Sequence, residues 1–286
     1  MPKNYLKTMK KNILLFALLL TCSVLFSQKN EKLKGSKIVT LEQKEVEDFE
    51  AIEISDDIDV FLVKGEKCSL EIEADDNLHD AMGINVDGST LRLMRVKKIS
   101  SYKKFSVRII YTDKLKSIFG KNDSKITALA DISLEDIRIK LTDDCKFFGN
   151  IKSKIVSIDA SEKSKAEVNI KSEKSTISFS KNTDLKALIS TNDLVVDMYQ
   201  KAEAVLEGDA IDFKLRMDNN SKVDAKKLTA QHLNLVMDSY TKSSVNALNT
   251  ISIEAAGKSE IQLYGDQKIE MKRFVDNATL YKKPTK

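Results

Sequence analysis

Four acidic residues in the second half of the chain follow apolar, strand-like runs at similar positions. They are Asp197, Asp218, Asp238 and Glu254. If the runs stack in register, these carboxylates form one column at a corner, where crowded like charges raise one another's pKa or recruit a cation. Calcium is the natural cation for several oxygen ligands. Clustered acids also serve enzymes that cleave polysaccharides.

A second interpretation is that these acids simply form turns and point outward. Lysines recur at the same corner and would then neutralise them. They are Lys201, Lys222, Lys242 and Lys258. Interleaved charges of both signs are typical of a solvated face, and we favour this interpretation.

Tyr199 and Tyr240 each lie two residues beyond an acid of this set and could offer a flat surface to a sugar. The chain has no tryptophan, however, and only 6% aromatic residues. A tyrosine at a strand edge is more often a packing residue with a solvated hydroxyl. The aromatic content therefore lowers the expectation of a lectin.

Nucleophilic or redox chemistry has little support in the sequence. The only histidines, His79 and His232, are 153 residues apart, and no G-x-S-x-G elbow accompanies them. The sequence has no Cys/His metal spacing, no P-loop and no dinucleotide fingerprint. We therefore predict a protein that is not an enzyme and needs no cofactor, with calcium as the one candidate ion.

A loose repeat positions these residues. Small or polar residues in short turns recur at spacings of 21, 19, 19, 19, 19, 22, 16 and 18. They are Ser124, Cys145, Ser164, Thr183, Ala202, Ser221, Ser243, Ser259 and Asn277. Such a period is the signature of a solenoid. A unit of about 19 residues is too short for a strand and a helix, so it predicts one coil of a β-helix. About nine coils at ~4.8 Å would make a rod on the order of 40 Å long.

Alternating apolar residues predict which side chains point into the rod. The expected inward residues of the first strands are Ile137, Ile139 and Leu141; Ile211, Phe213, Leu215 and Met217; Leu233, Leu235 and Met237; and Ile251 and Ile253. Those of the second strands are Ala166, Val168 and Ile170; Leu185, Ala187 and Ile189; Val223 and Ala225; and Ile261 and Leu263.

Two regions of strands are expected. Residues 35–112 predict an antiparallel strand cap, and residues 113–283 predict the solenoid that continues it. The open end of a solenoid is an aggregation-prone edge. We expect charge to blunt it at Lys272, Arg273, Lys282 and Lys283.

Residues 1–27 have the features of a signal peptide. Four lysines precede the apolar run Ile13–Phe26, and Ser27 offers a cleavage site. The alternatives are an uncleaved anchor or lipidation at Cys22, which follows a poorly fitting Thr21. Without this segment 43 basic and 43 acidic residues remain, so nucleic-acid binding is not expected.

Export permits a disulfide. Two cysteines, Cys68 and Cys145, remain in the mature chain. They are 77 residues apart, and two cysteines do not make a framework. We expect two buried or unpaired thiols, and their pairing stays an open alternative.

Several segments resemble a known bacterial family. The segments are Phe49-x-Ala51-Ile52-x-Ile54, Asp59-Val60-x-Leu62-x-x-Gly65, Leu70-x-Ile72-x-Ala74-Asp75-Asp76-Asn77-Leu78, Gly88-x-x-Leu91-x-Leu93 and Leu115-x-x-Ile118. Together they resemble the family labelled putative auto-transporter adhesin, head GIN domain, over most of the mature chain. The stretch from Ala74 to Leu78 is the most specific part.

The resemblance implies an exported envelope protein of a Gram-negative bacterium, periplasmic or surface-exposed, with a right-handed β-helix of short coils. The family's Ser-Gly-Ala-Ser-like turn is approached only at Ala256-Gly257-Lys258-Ser259. Asn and Asp in the other turns tolerate the left-handed backbone that glycine would supply.

We expect a binding or scaffold module that presents a face of the rod to a protein or a glycan. The alternatives are a polysaccharide-acting enzyme that uses the acid column and a purely structural spacer. Membrane association is expected only if Cys22 is lipidated. Family resemblance alone does not establish any of these functions.

Overall fold

The computed structural model describes residues 32–284, and the predicted signal peptide lies outside them. The described chain is built from strands, with a single one-turn 3-10 helix at His79–Ala81. No helix in residues 32–284 is long and apolar enough to span a membrane. The strands are β1 (Leu33–Lys34), β2 (Val39–Glu45), β3 (Ala51–Ile54), β4 (Asp59–Lys64), β5 (Ser69–Asp75), β6 (Met82–Asp87), β7 (Thr90–Arg95), β8 (Ile99–Ser101), β9 (Phe105–Tyr111), β10 (Ser117–Gly120), β11 (Lys125–Ala128), β12 (Ile132–Leu141), β13 (Lys146–Ala160), β14 (Lys165–Phe179), β15 (Asp184–Met198), β16 (Glu203–Met217), β17 (Lys222–Met237), β18 (Lys242–Ala255), β19 (Glu260–Tyr264), β20 (Lys268–Phe274) and β21 (Thr279–Lys282).

The strands wind into a β-solenoid of about nine coils with about 19 residues each, as the repeat predicts. In β13 to β18 each long strand bends midway and passes from one sheet to the other. Sheet A runs through β2, β5, β9, β4, β11, the first parts of β13–β18, β19 and β21. Sheet B runs through β6, β7, β3, β10, the second parts of β12–β18 and β20.

Alternation fills the space between the sheets with aliphatic and aromatic side chains, which form one continuous core. The predicted inward residues are buried except Ile211, which is 40% exposed. That prediction is wrong because Ile211 lies where β16 bends from sheet A to sheet B. At the bend the alternation skips a step: Ala210 and Phe213 point inward, and the two residues between them face solvent.

The coils stack in parallel register. Lys146, Lys165, Asp184, Glu203 and Lys222 pair in succession at intervals of 19 residues. After β16 the interval changes, because Lys222 pairs with Lys242, which pairs with Glu260. These pairings align the buried turn residue Ser221 with Thr241, rather than with Ser243 as the sequence spacing predicts. They likewise align Ser259 with Ala278 and not with Asn277.

The six turns between residues 122 and 220 use left-handed backbone at two consecutive residues, as in type I′ turns, whereas the later turns use it at one, Ser239, Gly257 or Asp276. Asn122 and Asp123 have φ of 54° and 63°, and Asn219 and Asn220 have φ of 52° and 65°. These pairs fit the expectation that Asn and Asp replace glycine. Gln200 and Lys201 also adopt left-handed backbone, with φ of 50° and 66°, although their side chains do not favour it as those of Asn and Asp do.

Region 35–112 is a mixed cap, so the prediction of an antiparallel cap is wrong in part. The β2–β5, β5–β9 and β6–β7 pairs are antiparallel. The β3–β7 and β4–β9 pairs are parallel, and so are β3–β10 and β4–β11. The coil formed by β3 and β4 therefore lies between two segments that come later in the chain. Strands β7 and β9 lie on one side of it, and β10 and β11 lie on the other. The stack of coils begins within the cap and not at residue 113.

The Ala74 to Leu78 stretch fastens the chain before β2 to this cap. The fully buried Asp75 carboxylate accepts hydrogen bonds from the backbone N–H groups of Lys37, Lys103 and Lys104, each at 3.0 Å. The Asn77 amide accepts from Ser36 N and donates to Lys34 O, both at 2.9 Å. Hydrogen bonds from the side chains of this motif thus hold the segment, where a regular strand would use backbone–backbone hydrogen bonds.

The last coil is open on its outer side. Ile269 and Met271 pair with the buried Ile251 and Ile253 but are themselves 41% and 46% exposed, because no further coil of residues 32–284 covers them. Lys272 is an extra residue in β20 at a β-bulge, directly before Arg273. Bulges and basic side chains discourage edge-to-edge pairing. Lys272 and Arg273 thus lie at this edge, and Lys282 and Lys283 lie at the end of β21, so the blunting of the edge by these four charges stays a prediction.

Candidate functional site

The four acids do not form the single predicted column: Asp218 and Asp238 lie in register on successive coils, apart from the other two. Asp197 pairs in register with Arg216, which pairs with Val236, which pairs with Glu254, so a cation and an apolar residue separate the two acids. Asp218 and Asp238 follow the paired Met217 and Met237 and lie in the turns instead. The reason is strand alternation: an acid before the last strand residue points out of sheet B, whereas an acid after it enters the turn.

Each aspartate of the set satisfies its carboxylate locally. Arg216 Nε donates to Asp197 Oδ1 at 2.9 Å, and Ser239 Oγ donates to Asp218 Oδ1 at 2.7 Å. Ser239 N donates to Asp238 Oδ1 at 2.5 Å. Residues 32–284 contain no group of three His, Cys, Asp or Glu side chains that could hold a metal ion. The four acids therefore provide no shared ligand set for calcium.

The expectation that four lysines neutralise the acid column is wrong: none of them forms an ion pair with an acid of the column, and two pair with other acids. Lys222 Nζ lies 2.7 Å from Glu203 and Lys242 Nζ lies 3.1 Å from Glu260, each one coil away. Such exposed pairs contribute little to stability. Lys201 and Lys258 lie in turns, where Lys258 Nζ lies 5.1 Å from the centroid of the Tyr240 ring.

Tyr199 and Tyr240 do not form a common flat surface. The Arg216 guanidinium lies 5.3 Å from the centroid of the half-buried Tyr199 ring. Burial, and then the charge of Asp197, raise the pKa of Tyr199. Tyr240 is exposed in a different turn. Tyr199 is therefore a packing partner of Arg216, in line with the favoured interpretation.

The two histidines lie in different parts of the fold. His79 Nε2 is 2.8 Å from Thr40 Oγ1, and its Nδ1 is 3.2 Å from Glu42 Oε2. Because Nδ1 makes no hydrogen bond within the described chain, these residues do not complete a hydroxyl–imidazole–carboxylate triad. Thr40 and Glu42 are alternate residues of β2, so the contacts clamp this strand over the 3-10 turn. His232 lies on sheet B, with Nδ1 2.8 Å from Thr250 Oγ1.

Cys68 and Cys145 are buried and do not form a disulfide. Burial raises the pKa of Cys145 to about 11, although Ser124 Oγ, 3.2 Å from its sulfur, partly opposes the shift. Because the thiolate is the reactive form, Cys145 is an unreactive core residue at neutral pH.

A shallow groove on sheet B was not predicted. It has a volume of about 410 Å³ and crosses β16, β17, β18 and β20 near the open end. One wall carries Asp212, His232, Thr250 and Lys268, which are in register on successive coils. The other wall carries Lys214, Asn234, Ser252 and Glu270, two residues further along the same strands.

The groove holds polar atoms without partners. Asn234 Oδ1 and Ser252 Oγ are inaccessible to solvent and make no hydrogen bond within the described chain. Unpaired buried acceptors and donors are costly and rare in native proteins. The sequence signal was a polar residue between two buried ones, as in Leu233-Asn234-Leu235 and Ile251-Ser252-Ile253.

Sheet A carries two further grooves, of about 400 and 460 Å³, on either side of Asn150, Asn169 and Leu188. There the polar groups satisfy one another. Asn169 Nδ2 donates to Asn150 Oδ1 at 2.8 Å, and Lys186 Nζ lies 3.0 Å from Glu167. Unpartnered buried polar atoms are not confined to sheet B, since they also occur at Ser153, Thr183 and Ser221.

Comparison with solved structures finds the same fold in three proteins. A protein described as a putative adhesin from Parabacteroides merdae is 17% identical, with a TM-score of 0.68 over 90% of this chain and 100% of that chain. A putative adhesin from Parabacteroides distasonis is 16% identical, with a TM-score of 0.66 over 87% and 99%. A protein described as a putative lipid binding protein from the same species is 14% identical, with a TM-score of 0.65 over 90% and 100%. At these identities the likeness concerns the fold alone.

No match is found among functionally curated proteins. A family model, in contrast, matches residues 48–169 and again residues 153–266. The two matches together cover most of the mixed cap and nearly all of the coils, and they include the Ala74 to Leu78 stretch. The chain thus belongs to the family described as putative auto-transporter adhesin, head GIN domain.

Proposed function

We propose that this protein is a non-catalytic, adhesin-type binding module of the cell envelope. The observation that carries the proposal is the groove of about 410 Å³ on sheet B, which is lined by polar side chains from four successive coils. Family membership and two structural neighbours described as adhesins support it. The partner is a protein or a glycan that lies against the face of the rod.

The solenoid suits such a role because it presents a preorganised surface. Each coil is hydrogen-bonded to its neighbours through both sheets, for example along all of β14 and β15. A rigid surface loses little conformational entropy when a partner binds. Binding by sheet B therefore needs no rearrangement of the coils.

Purified residues 28–286 should bind a polysaccharide, an extracellular-matrix protein or a cell surface saturably without degrading it. Binding can be measured by biolayer interferometry, and hydrolysis by release of reducing ends. Asp218→Asn/Asp238→Asn should leave both results unchanged, because these acids make local turn contacts. Polysaccharide cleavage that this double variant abolishes would instead support the enzyme. Absence of binding to every probe would support a structural spacer.

An adhesin-type role places the protein outside the cell. We expect protease added to intact cells to cleave the native protein, because exported binding modules meet their partners at the surface. A periplasmic marker protein should survive the same treatment. Cleavage only after the outer membrane has been opened would place the protein in the periplasm and contradict adhesion.

A further inference from the structure

The two ends of the solenoid differ in how they close the core. At the cap end, β2 is the edge strand of sheet A, and its Glu42 and Lys44 lie opposite buried apolar residues of β5. Charged side chains that point inward from an edge strand discourage pairing with another chain. In sheet B the edge strand β6 turns Ile84 and Val86 inward, and both are partly buried against the core. The cap end is therefore closed in both sheets.

The last coil leaves the core apolar and uncovered. Ile269, Met271 and Phe274 of β20 pair with buried residues of β18 and so continue the core. They are nevertheless 41%, 46% and 36% exposed. Because β20 pairs with β18 alone, its other edge has no strand partner within residues 32–284. A free strand edge beside apolar side chains is a template for pairing with another chain.

The charges along β20 are complementary to themselves. When two copies of β20 run antiparallel about a twofold axis at Met271, each Met271 lies opposite the other. Lys272 is the extra residue of the bulge. Since a bulge sets two residues against one, Lys272 and Arg273 together lie opposite Glu270 of the second copy. Opposite charges in such cross-strand positions stabilise the pair.

The same register also matches the apolar residues. Because the bulge absorbs one residue, Ile269 lies opposite Phe274 of the second copy. The Met271 side chains meet at the axis, so the apolar column between the sheets runs on from one copy into the other. Pairing about Met271 therefore satisfies the charges and covers the core at once.

We propose that this end of the solenoid binds the same end of a second copy, in a twofold dimer in which the two β20 strands pair antiparallel. An interface of this symmetry closes on itself and forms no filament. Strands β20 and β21 supply seven and four residues per copy, against about 20–30 residues a side in a stable interface. The dimer is therefore weak and depends on concentration. The inference goes beyond the proposed function and does not rest on it.

Stacking of the last coil on the cap of another copy fits less well. It would set Leu280 of β21 against the charged inward side of β2, at Glu42 and Lys44. A head-to-tail contact of this kind also does not close and would give filaments. Blunting of the edge by its basic residues is the opposite prediction, and it leaves the protein monomeric.

The test is the oligomeric state of residues 28–286, measured by sedimentation velocity over a concentration series. We expect wild type to pass from monomer to dimer as the concentration rises. Met271→Lys should weaken the dimer at least tenfold, because two lysines would meet at the twofold axis. Met94→Lys is the matched control, since Met94 is 39% exposed in β7 of the cap, and it should leave the dimer unchanged. Both methionines are exposed in the monomer, so neither variant should unfold it.

A charge reversal tests the antiparallel register. Glu270→Lys should weaken the dimer, because it places like charges opposite each other. Glu270→Lys/Lys272→Glu should recover the affinity, since opposite charges then face each other again. Failure of this double variant to recover affinity would overturn the register.

The other outcomes are equally distinct. A monomer at every concentration would overturn the proposal and support blunting of the edge by charge. A dimer that survives Met271→Lys, or larger assemblies in place of a dimer, would overturn it as well. Each of these results leaves the proposed binding function untouched, because that function is tested by the polysaccharide, matrix and cell-surface probes.

Discussion

Replacing Gly208 by alanine is expected to lower the free energy of unfolding by about 3–5 kcal/mol. Gly208 lies in β16 with φ of 110°, a conformation that residues with a side chain rarely adopt. An added Cβ would lie 2.0 Å from the carbonyl oxygen of Ile189 in the preceding coil. Backbone must move to relieve this overlap, which would disturb the pairing of β15 with β16. Chemical denaturation of both proteins measures the difference.

Gly88 provides the matched control for this substitution. It also has positive φ, 60°, but a Cβ there would meet no atom within 4 Å. Gly88→Ala should therefore cost only about 1 kcal/mol, the expense of left-handed backbone alone. Equal losses in the two variants would show that close approach to Ile189 is unimportant.

Asp75→Asn should release the segment before β2 and lower the melting temperature by roughly 5 °C. Both carboxylate oxygens accept backbone N–H groups, and an amide would turn one acceptor into a donor that faces Lys37 or Lys103. Asp76→Asn is the control, since Asp76 is exposed and its side chain makes no hydrogen bond within the described chain. Hydrogen exchange at Lys37, Lys103 and Lys104 should accelerate only in Asp75→Asn.

The contribution of Asp75 should depend on pH. Burial alone would raise its pKa, but the N–H groups of Lys104, Lys37 and Lys103 outweigh burial and hold the pKa below the ordinary 3.8. A lowered pKa in the folded state stabilises the protein above the unfolded-state value, and this stabilisation is lost as pH falls through the folded value. The difference in stability between wild type and Asp75→Asn should therefore be full at pH 7 and shrink below about pH 4. A constant difference down to pH 2 would contradict this account.

The regular coils were predictable because one physical pattern governs them. Alternation buries every second residue, and a constant interval of 19 keeps like residues in register. The prediction of Ser243 as a turn residue was wrong, because an extra residue in β17 near Lys226 lengthens this interval to 20 and places Thr241 in the turn, whereas Asn277 does lie in a turn. A shift of one or two residues does not change apolar periodicity enough to be recognised in a single sequence.

The acid column shows a second limit. Asp197 and Asp218 occupy similar places relative to their strands, yet one precedes and the other follows the last paired methionine. In a strand that single step changes the direction of the side chain. Predicting a column of carboxylates needs a register accurate to one residue, whereas predicting a solenoid needs only the period.

The cap could not be derived because its neighbours are not sequential. Nothing in the sequence of β3 indicates that it lies between β7 and β10. The groove on sheet B was missed for a related reason. Asn234 and Ser252 are unremarkable in sequence, and only stacking shows that their polar atoms have no partner.

The interleaved cap also gives the assembly of the protein a direction. The coil of β3 and β4 acquires both neighbours only after residues up to 128 are present, since β10 and β11 complete it. Every later coil needs only the one before it. A chain that is exported from its N-terminus would therefore complete the cap first. The coils would then be added to the cap one at a time.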